Sequence, residues 1–303
     1  MSPKIEHSKG HKSYQVEKTL PSLTVPPMMI LRVLKSLILF LTTLPVGKLG
    51  KAEPNHFLKD PADFMFLFPL VGGLIGLIAG LYSFGLYRIL PTLFLGFETL
   101  LPIRLLHDVL DCPLLTKVLV GLMTLAFILV LTGLSHTDGL IDVGNALGLS
   151  GSTEDRRKIA HAWVVTSYGT LAFFLVMIPT FLAISLLNQH AIVQCLITSE
   201  VSAKLAMVTC AWLGRPAREG LGVNFVKAMR KKHHLYIVAL LLACTLCYIT
   251  SGLSGLIVAS LGAGVGLLMV VFSNWLFGWM TGDVFGTANE LARAASLISL
   301  VVL

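Results

Sequence analysis

The sequence predicts an all-α, polytopic transmembrane helical bundle of roughly seven spans, with interfacial or re-entrant segments added. Two compositional facts and one pattern lead there. Of the 303 residues, 55% are hydrophobic and only 13% charged, against about 25% charged in an average soluble domain. The mean hydropathy is +0.82. Apolar runs of about twenty residues, enough to cross a hydrocarbon core roughly 30 Å thick, recur along the chain.

Taken in order, residues 1–28 form a polar tail carrying Lys4, Lys9, Lys12 and Lys18. The apolar stretch after it lacks a small-residue cleavage site and is followed by further spans, so no removable signal peptide is read. Residues 29–303 read as one integral membrane domain without an internal repeat. The segment 29–47 is interrupted by Arg32 and Lys35 and closed by Pro45, which suits an interfacial or re-entrant piece. A clear span follows at 64–87. Its Gly72, Gly73, Gly76 and Gly80 give a glycine-lined face for close helix packing. Pro91, Glu98, Pro102, Arg104 and Asp108 make 88–112 a mixed, interfacial stretch. Further spans read as 114–135, 164–187, 190–212, 235–254, 255–279 and 284–303. The five cysteines (Cys112, Cys195, Cys210, Cys244, Cys247) sit in or beside these segments. Cys244-x-x-Cys247 has no second ligand pair nearby, so helix packing is a better reading than zinc.

A net charge of +7 would suit a nucleic-acid partner, but the basic residues fall in short loops beside spans, as the positive-inside rule describes. No nucleic acid is therefore expected, and the bilayer is the expected partner. If 64–87 leaves the cytoplasm and 88–112 does not cross, parity puts three polar stretches on the cytoplasmic face: 136–162, 213–234 and the turn at Thr281-Gly282-Asp283. The first two carry Arg156, Arg157 and Lys158, then Arg215, Arg218, Lys227, Arg230, Lys231 and Lys232.

Ionisable residues beside hydrocarbon are costly, so their positions point to function. The stretch His136-Thr137-Asp138-Gly139-Leu140-Ile141-Asp142 is expected at the water-facing end of a span. Asp138 and Asp142 are four apart and share a face if helix continues through them. Paired carboxylates suit Mg²⁺ or Mn²⁺ carrying phosphate oxygens, and Asn145 offers a further neutral oxygen. A helix cap beside an exposed loop is the competing reading. His136 offers phosphate binding, base chemistry or simple exposure to water. Arg215 and Arg218, with Glu219, Gly220 and Gly222, combine bidentate phosphate donors with exposed backbone N–H groups; a topology-setting basic loop is the alternative. The run Arg230-Lys231-Lys232-His233-His234 reads as a lipid-surface anchor. Asp283 opens the last span, where a cap is its bland role. Glu290 lies seven residues on, roughly 10 Å deeper at about 1.5 Å per residue, facing the protein interior.

Five segments, in order, resemble the cobalamin synthase family of adenosylcobinamide-GDP ribazoletransferases, from about residue 37 to 303. Phe40-Leu41-Thr42-Thr43-Leu44-Pro45-Val46 is similar to an "F-x-T-R-L-P-V" segment, and Phe68-Pro69-Leu70-Val71-Gly72 to "F-P-L-V-G". Thr132 to Asp142 is similar to the signature "T-G-G-x-H-x-D-G-L-A-D". Arg218 to Gly222, and Thr281 to Gly286 with Glu290-Leu291, resemble "R-E-G-L-G" and "T-G-D-x-L-G…E-L". The resemblance implies a Mg²⁺-dependent membrane enzyme. A ribose hydroxyl of α-ribazole, or of its 5′-phosphate, attacks the cobinamide-bearing phosphorus of adenosylcobinamide-GDP, and GMP leaves. It implies metal at Asp138, Asp142 and Asn145, catalytic roles for His136 and Asp283, and substrate contacts from Arg215, Arg218, Glu219 and Glu290. A homo-oligomer is compatible with it.

The chain departs from that family at four places. Asn145 stands where a third aspartate is usual. Ala162 to Gly169 replaces "D-S-R-x-G-T-x-G", with His161 one place away. Thr43 replaces an arginine, and Ala203, beside Lys204, replaces another. Three other readings compete. A CDP-alcohol phosphotransferase would carry "A-R" after the Asp-Gly pair, where Ile141-Asp142 stands. A transporter would tend to show repeats and midplane charges. A noncatalytic relative would follow if the departures dismantled the site.

Overall fold

The computed structural model describes residues 27–46, 59–100, 113–162, 164–218 and 220–303. All regular elements among them are helical: α1 (Pro27–Leu41), α2 (Lys59–Asp63), α3 (Phe68–Leu100), α4 (Pro113–Leu131), α5 (Ser135–Leu147), α6 (Thr153–Ala160), α7 (Ser167–Leu186), α8 (Ile192–Leu213), α9 (Leu221–Lys231), α10 (Leu235–Leu276) and α11 (Gly282–Val302). The expected tail lies almost wholly outside the described residues, as do residues 101–112.

At the centre stands α8, buried without interruption from Thr198 to Ala211. Small residues let its neighbours reach it closely. A Cβ added at Gly72, Gly76 or Gly80 of α3 would lie 2.5 Å from the Glu200 carbonyl oxygen, 2.4 Å from that of Leu196 and 2.7 Å from Val193 Cα. Three of the four glycines read as a face from the sequence are thus pressed backbone to backbone, while Gly73 meets only side chains, Val201 at 3.6 Å and Leu246 at 3.9 Å. On another side of α8, Gly262 and Gly266 of α10 approach Ser202 and Ala206 in the same way.

The reading of 235–254 and 255–279 as two spans matches the course of α10, which folds back at Gly252 (φ 59°, ψ −136°), a conformation open to glycine. Its arms run past α8 in opposite directions. Thr250 and Tyr236 on the first arm bond Thr198 (2.7 Å) and Thr209 (3.1 Å), whereas on the second the Val258 and Gly266 carbonyls accept from Ser202 (2.8 Å) and Cys210 (3.3 Å). Cys247 packs its sulfur toward the Thr198 carbonyl at 3.8 Å.

Five helices among the described residues are long and apolar enough to cross a bilayer, and one of them is the folded α10. α11, with 21 residues, is about 31 Å long but is not one of those five; with the two arms of α10 it brings the long helical segments to the roughly seven expected. Two boundaries differ from the reading. The stretch 88–112 is no separate interfacial piece at its start, because α3 continues through Pro91 to Leu100; neighbouring groups in a membrane protein tolerate such a proline. The span read at 114–135 ends at Leu131, and the acidic stretch occupies a helix of its own, α5.

The three polar stretches gather at one end of the bundle. Met280 N–H donates to the Arg215 carbonyl (2.9 Å), and Arg157 Nη1 to the Phe277 carbonyl (3.3 Å). There α9 lays Val223, Phe225, Val226 and Met229 on the bundle and turns Lys227, Arg230 and Lys231 outward. Lys232 pairs with Asp63 at 3.3 Å.

Candidate functional site

Between α4 and α5 the chain turns through Gly133 (φ 72°) and Leu134 (φ 61°). Positive φ at a leucine is strained, and hydrogen bonds on both sides hold it. Thr43 donates from its N–H to the Leu131 carbonyl (2.8 Å) and from its hydroxyl to that of Val130 (3.0 Å). Thr137 Oγ1 donates to the Leu134 carbonyl at 2.6 Å. Thr43 thus takes up two of the last carbonyls of α4, whose end is closed locally by Gly133 N–H to Val130 (3.1 Å) and Leu134 N–H to Leu129 (3.0 Å).

The new helix then docks on α11 through two glycines. A Cβ at Gly139 would lie 2.7 Å from the Asp283 carbonyl oxygen, and one at Gly286 2.9 Å from that of His136. Thr287 Oγ1 bonds the carbonyls of Gly139 (3.1 Å) and Asp283 (2.8 Å). This clamp sets Asp138 and Asp142 of α5 beside Asp283 at the start of α11. Asp138 is exposed, and Asp142 and Asp283 are half-buried. Thr281 caps α11 by accepting from Val284 N–H (3.4 Å), and its hydroxyl lies 3.3 Å from Asp283 Oδ2.

The three carboxylates lack a neutralising lysine or arginine partner among the described residues. Burial, then the nearby Asp283 and Asp138 charges, push Asp142 up to about 6, while His161 opposes the rise. His161 closes α6 and lies near both Asp142 and Asp283. The sequence placed it one residue from a family aspartate; only the fold of α6 carries it to the carboxylates.

Oxygen donors with uncompensated charge are the chemistry Mg²⁺ takes. Yet no group of three or more His, Cys, Asp or Glu among the described residues converges on one cation position. Any cation here would have at most one or two protein carboxylates, with its other positions left to substrate and water.

The other expected residues are placed differently. Asn145 has no oxygen lone pair left for a metal: its Oδ1 accepts from the N–H (3.0 Å) and hydroxyl (2.8 Å) of Thr166, and its Nδ2 donates to the Val164 carbonyl (2.7 Å). It ties the strand-like segment before α7 to α5. Glu290 lies 1% exposed in a buried ion network rather than among the three carboxylates. Its carboxylate pairs with Arg293 and accepts from Asn289 Nδ2 (3.1 Å). Arg293 also pairs with Glu200, which pairs with Lys204 (3.1 Å), and Lys204 bonds Asn289 Oδ1 (2.7 Å). Two acids and two bases balance there. Arg293, Glu200 and Lys204 were not among the expected site residues.

His136 lies between this network and the carboxylates. It is 7% exposed, its Nε2 has no hydrogen-bond partner among the described residues, and burial, then Lys204 and Arg293, hold the ring toward its neutral form. Arg215 and Arg218 are exposed and pair with no carboxylate among the described residues. Their loop is held beside Asp283 by the bridge between Pro216 and Met280 and by Gly222 against Thr281. Glu219 lies outside the described residues.

The family model described as "Cobalamin-5-phosphate synthase" matches residues 33–110 and 93–301. Proteins named "Adenosylcobinamide-GDP ribazoletransferase" are similar across nearly full length. That of Methanosarcina barkeri is 27% identical over 87% of this chain and 89% of its own. The Methanocella arvoryzae protein is 29% identical, over 88% and 94%, and the Halorubrum lacusprofundi protein 28%, over 90% and 98%. No solved structure matches.

Proposed function

Because the chain belongs to the cobalamin-5-phosphate synthase family, we propose that it is a membrane transferase of cobalamin synthesis that joins adenosylcobinamide-GDP to α-ribazole or its 5′-phosphate. A ribose hydroxyl forms the new P–O bond at the cobinamide-bearing phosphorus, the pyrophosphate P–O bond breaks, and GMP leaves. The observation that carries this reading is the clamp of α5 on α11, which brings Asp138, Asp142 and Asp283 together beside a loop whose arginines pair with no carboxylate among the described residues.

Each group has a role that its position suits. Mg²⁺, when bound, offsets pyrophosphate charge and orients it. Asp138 and Asp142 are the residues that would hold it. Asp283 receives or orients the attacking hydroxyl, and an ionised carboxylate there takes its proton. Arg218, with Arg215, bonds the departing GMP phosphate through its guanidinium. His136, buried and held toward its neutral form, keeps an Nε2 unpartnered among the described residues for a substrate group at the carboxylates. The side that carries Arg156 to Lys158 and Arg215 to Lys232 faces the cytoplasm under the positive-inside rule, where nucleotide substrates are found.

A donor panel tests the chemistry. The protein is reconstituted with Mg²⁺ and α-ribazole and offered adenosylcobinamide-GDP or CDP-alcohols. Product from the corrinoid donor alone supports the reading; turnover of CDP-alcohols alone would replace it.

A further inference from the structure

Behind the carboxylate helix lies a cavity of about 700 Å³ between α5, α7, the second arm of α10 and α11. On α5 it is walled by Leu140, Val143, Gly144 and Leu147, which recur at helical spacing on the face turned away from Asp138 and Asp142. The polar side-chain atom of Thr287 also lines it, but that hydroxyl is already spent on the Gly139 and Asp283 carbonyls. Apart from the Trp275 indole N–H at the rim, such a wall has no free polar side chain among the described residues for a corrin amide or a phosphate, which suits an apolar occupant. Leu175, Leu268, Val271 and Trp275, between 59% and 68% exposed, form the rim. They belong to helices long and apolar enough to span a bilayer, so lipid tails are what stands at the opening.

The rim is also charged at its polar end. The Arg156 guanidinium lies 4.9 Å over the Trp275 ring, and Arg157 lies 3.9 Å over Trp279. Arg156 spends Nε on the Leu149 carbonyl (3.2 Å), which leaves its terminal N–H groups to a further acceptor. Neither arginine pairs with a carboxylate among the described residues, whereas neighbouring Lys158 is taken by Glu154 (3.1 Å). A tryptophan at the boundary with a cation stacked on it is an arrangement suited to the headgroup level.

We propose that this cavity is a lipid site, seating one acyl chain of an anionic phospholipid whose phosphate is bound by Arg156. The chain fills the space behind α5 and so supports the helix that presents Asp138 and Asp142. The proposal stands apart from the reaction assigned above, since retention of lipid is read without turnover.

The test loads delipidated protein from equimolar phosphatidylglycerol and phosphatidylcholine vesicles and counts retained lipid by native mass spectrometry. One phosphatidylglycerol per chain is expected, in about tenfold preference over phosphatidylcholine. Arg156→Gln removes the preference but keeps the lipid; Leu268→Trp, which fills the cavity from its exposed wall, lowers occupancy about tenfold. Equal occupancy in wild type and Leu268→Trp overturns the proposal. So does wild-type indifference to headgroup, displacement of the lipid by adenosylcobinamide-GDP, or disulfide crosslinking of two chains through Leu268→Cys. Should Leu268→Trp not fold, phosphatidylglycerol brominated in its chain quenches wild-type fluorescence, with Trp275→Phe as blank. An unquenched wild type overturns the proposal equally.

Discussion

A side-chain carbon on Gly139 would lie 2.7 Å from the carbonyl oxygen of Asp283. The helices that carry the three aspartates therefore meet backbone to backbone, and the spacing of the site depends on the absence of one methyl group. Gly139→Ala must push α5 from α11, an overpacking cost of about 1–3 kcal/mol. Thermal unfolding in detergent reads that loss, and transfer activity falls more steeply than stability. Gly85→Ala, where nothing lies within 4 Å, leaves both unchanged.

Asp142 gives the site a pH dependence of defined sign. Its carboxyl is held at about 6 by burial and by Asp283 and Asp138, so below that pH a proton competes with a cation for the same oxygens. Mn²⁺ titration followed by electron paramagnetic resonance should show affinity constant above about pH 7 and falling toward tenfold per pH unit below 6. In Asp142→Asn the dependence disappears and affinity is low throughout.

Asn145→Asp puts a carboxylate at this position without creating a ligand. The new oxygen would face the Val164 carbonyl that Asn145 Nδ2 now bonds at 2.7 Å. Two acceptors in place of a hydrogen bond cost about 1–3 kcal/mol. A lowered melting temperature with no gain in Mn²⁺ affinity is the expected result.

The ion network holds α8 to α11 and is balanced in charge. Arg293→Met leaves Glu290 without a paired cation among the described residues and Glu200 with Lys204 alone, each carboxylate 1% exposed or less, and costs about 3–5 kcal/mol. Adding Glu200→Gln removes the excess charge and recovers part of that loss. A double mutant less stable than Arg293→Met would mean that the pairing is not the cause.

Arg218 is exposed and unpaired among the described residues, so its loss is read in substrate binding. Arg218→Ala should raise KM for adenosylcobinamide-GDP by the worth of a charged hydrogen bond, about 1.5–3 kcal/mol or roughly 10- to 150-fold. The melting temperature stays put, and Arg218→Lys recovers part of the affinity.

How much was legible follows from how local each signal is. The seven passes and the glycine face of α3 were readable, because hydropathy and four-residue spacing are properties of a single segment. So was the grouping of Asp138, Asp142 and Asp283, which a short motif and parity both indicate. The left-handed turn at Leu134 was not, since a leucine carries no sign of positive φ; its N–H bonds the Leu129 carbonyl (3.0 Å), that of Gly133 bonds Val130 (3.1 Å), and Thr43, far away in sequence, adds bonds to the Val130 and Leu131 carbonyls. Glu290 read as a site residue because a lone carboxylate in a span invites function. Its partner Arg293 sits one turn away, but Glu200, which completes the network, lies 93 residues from Arg293, and no local pattern joins them. Asn145 read as a ligand by spacing alone, and only the fold of 164–166 shows what its amide holds.

The central claim is that the aspartates clamped by α5 and α11 transfer a corrinoid phosphate to α-ribazole. Its most direct test is GMP release from adenosylcobinamide-GDP by the purified protein with Mg²⁺, with and without α-ribazole, in wild type and Asp142→Ala. The account predicts release only when α-ribazole is present, in equal amount to the joined product, and at least about 100-fold slower in Asp142→Ala. No GMP from the folded wild type, or release that Asp142→Ala leaves unchanged, would contradict it.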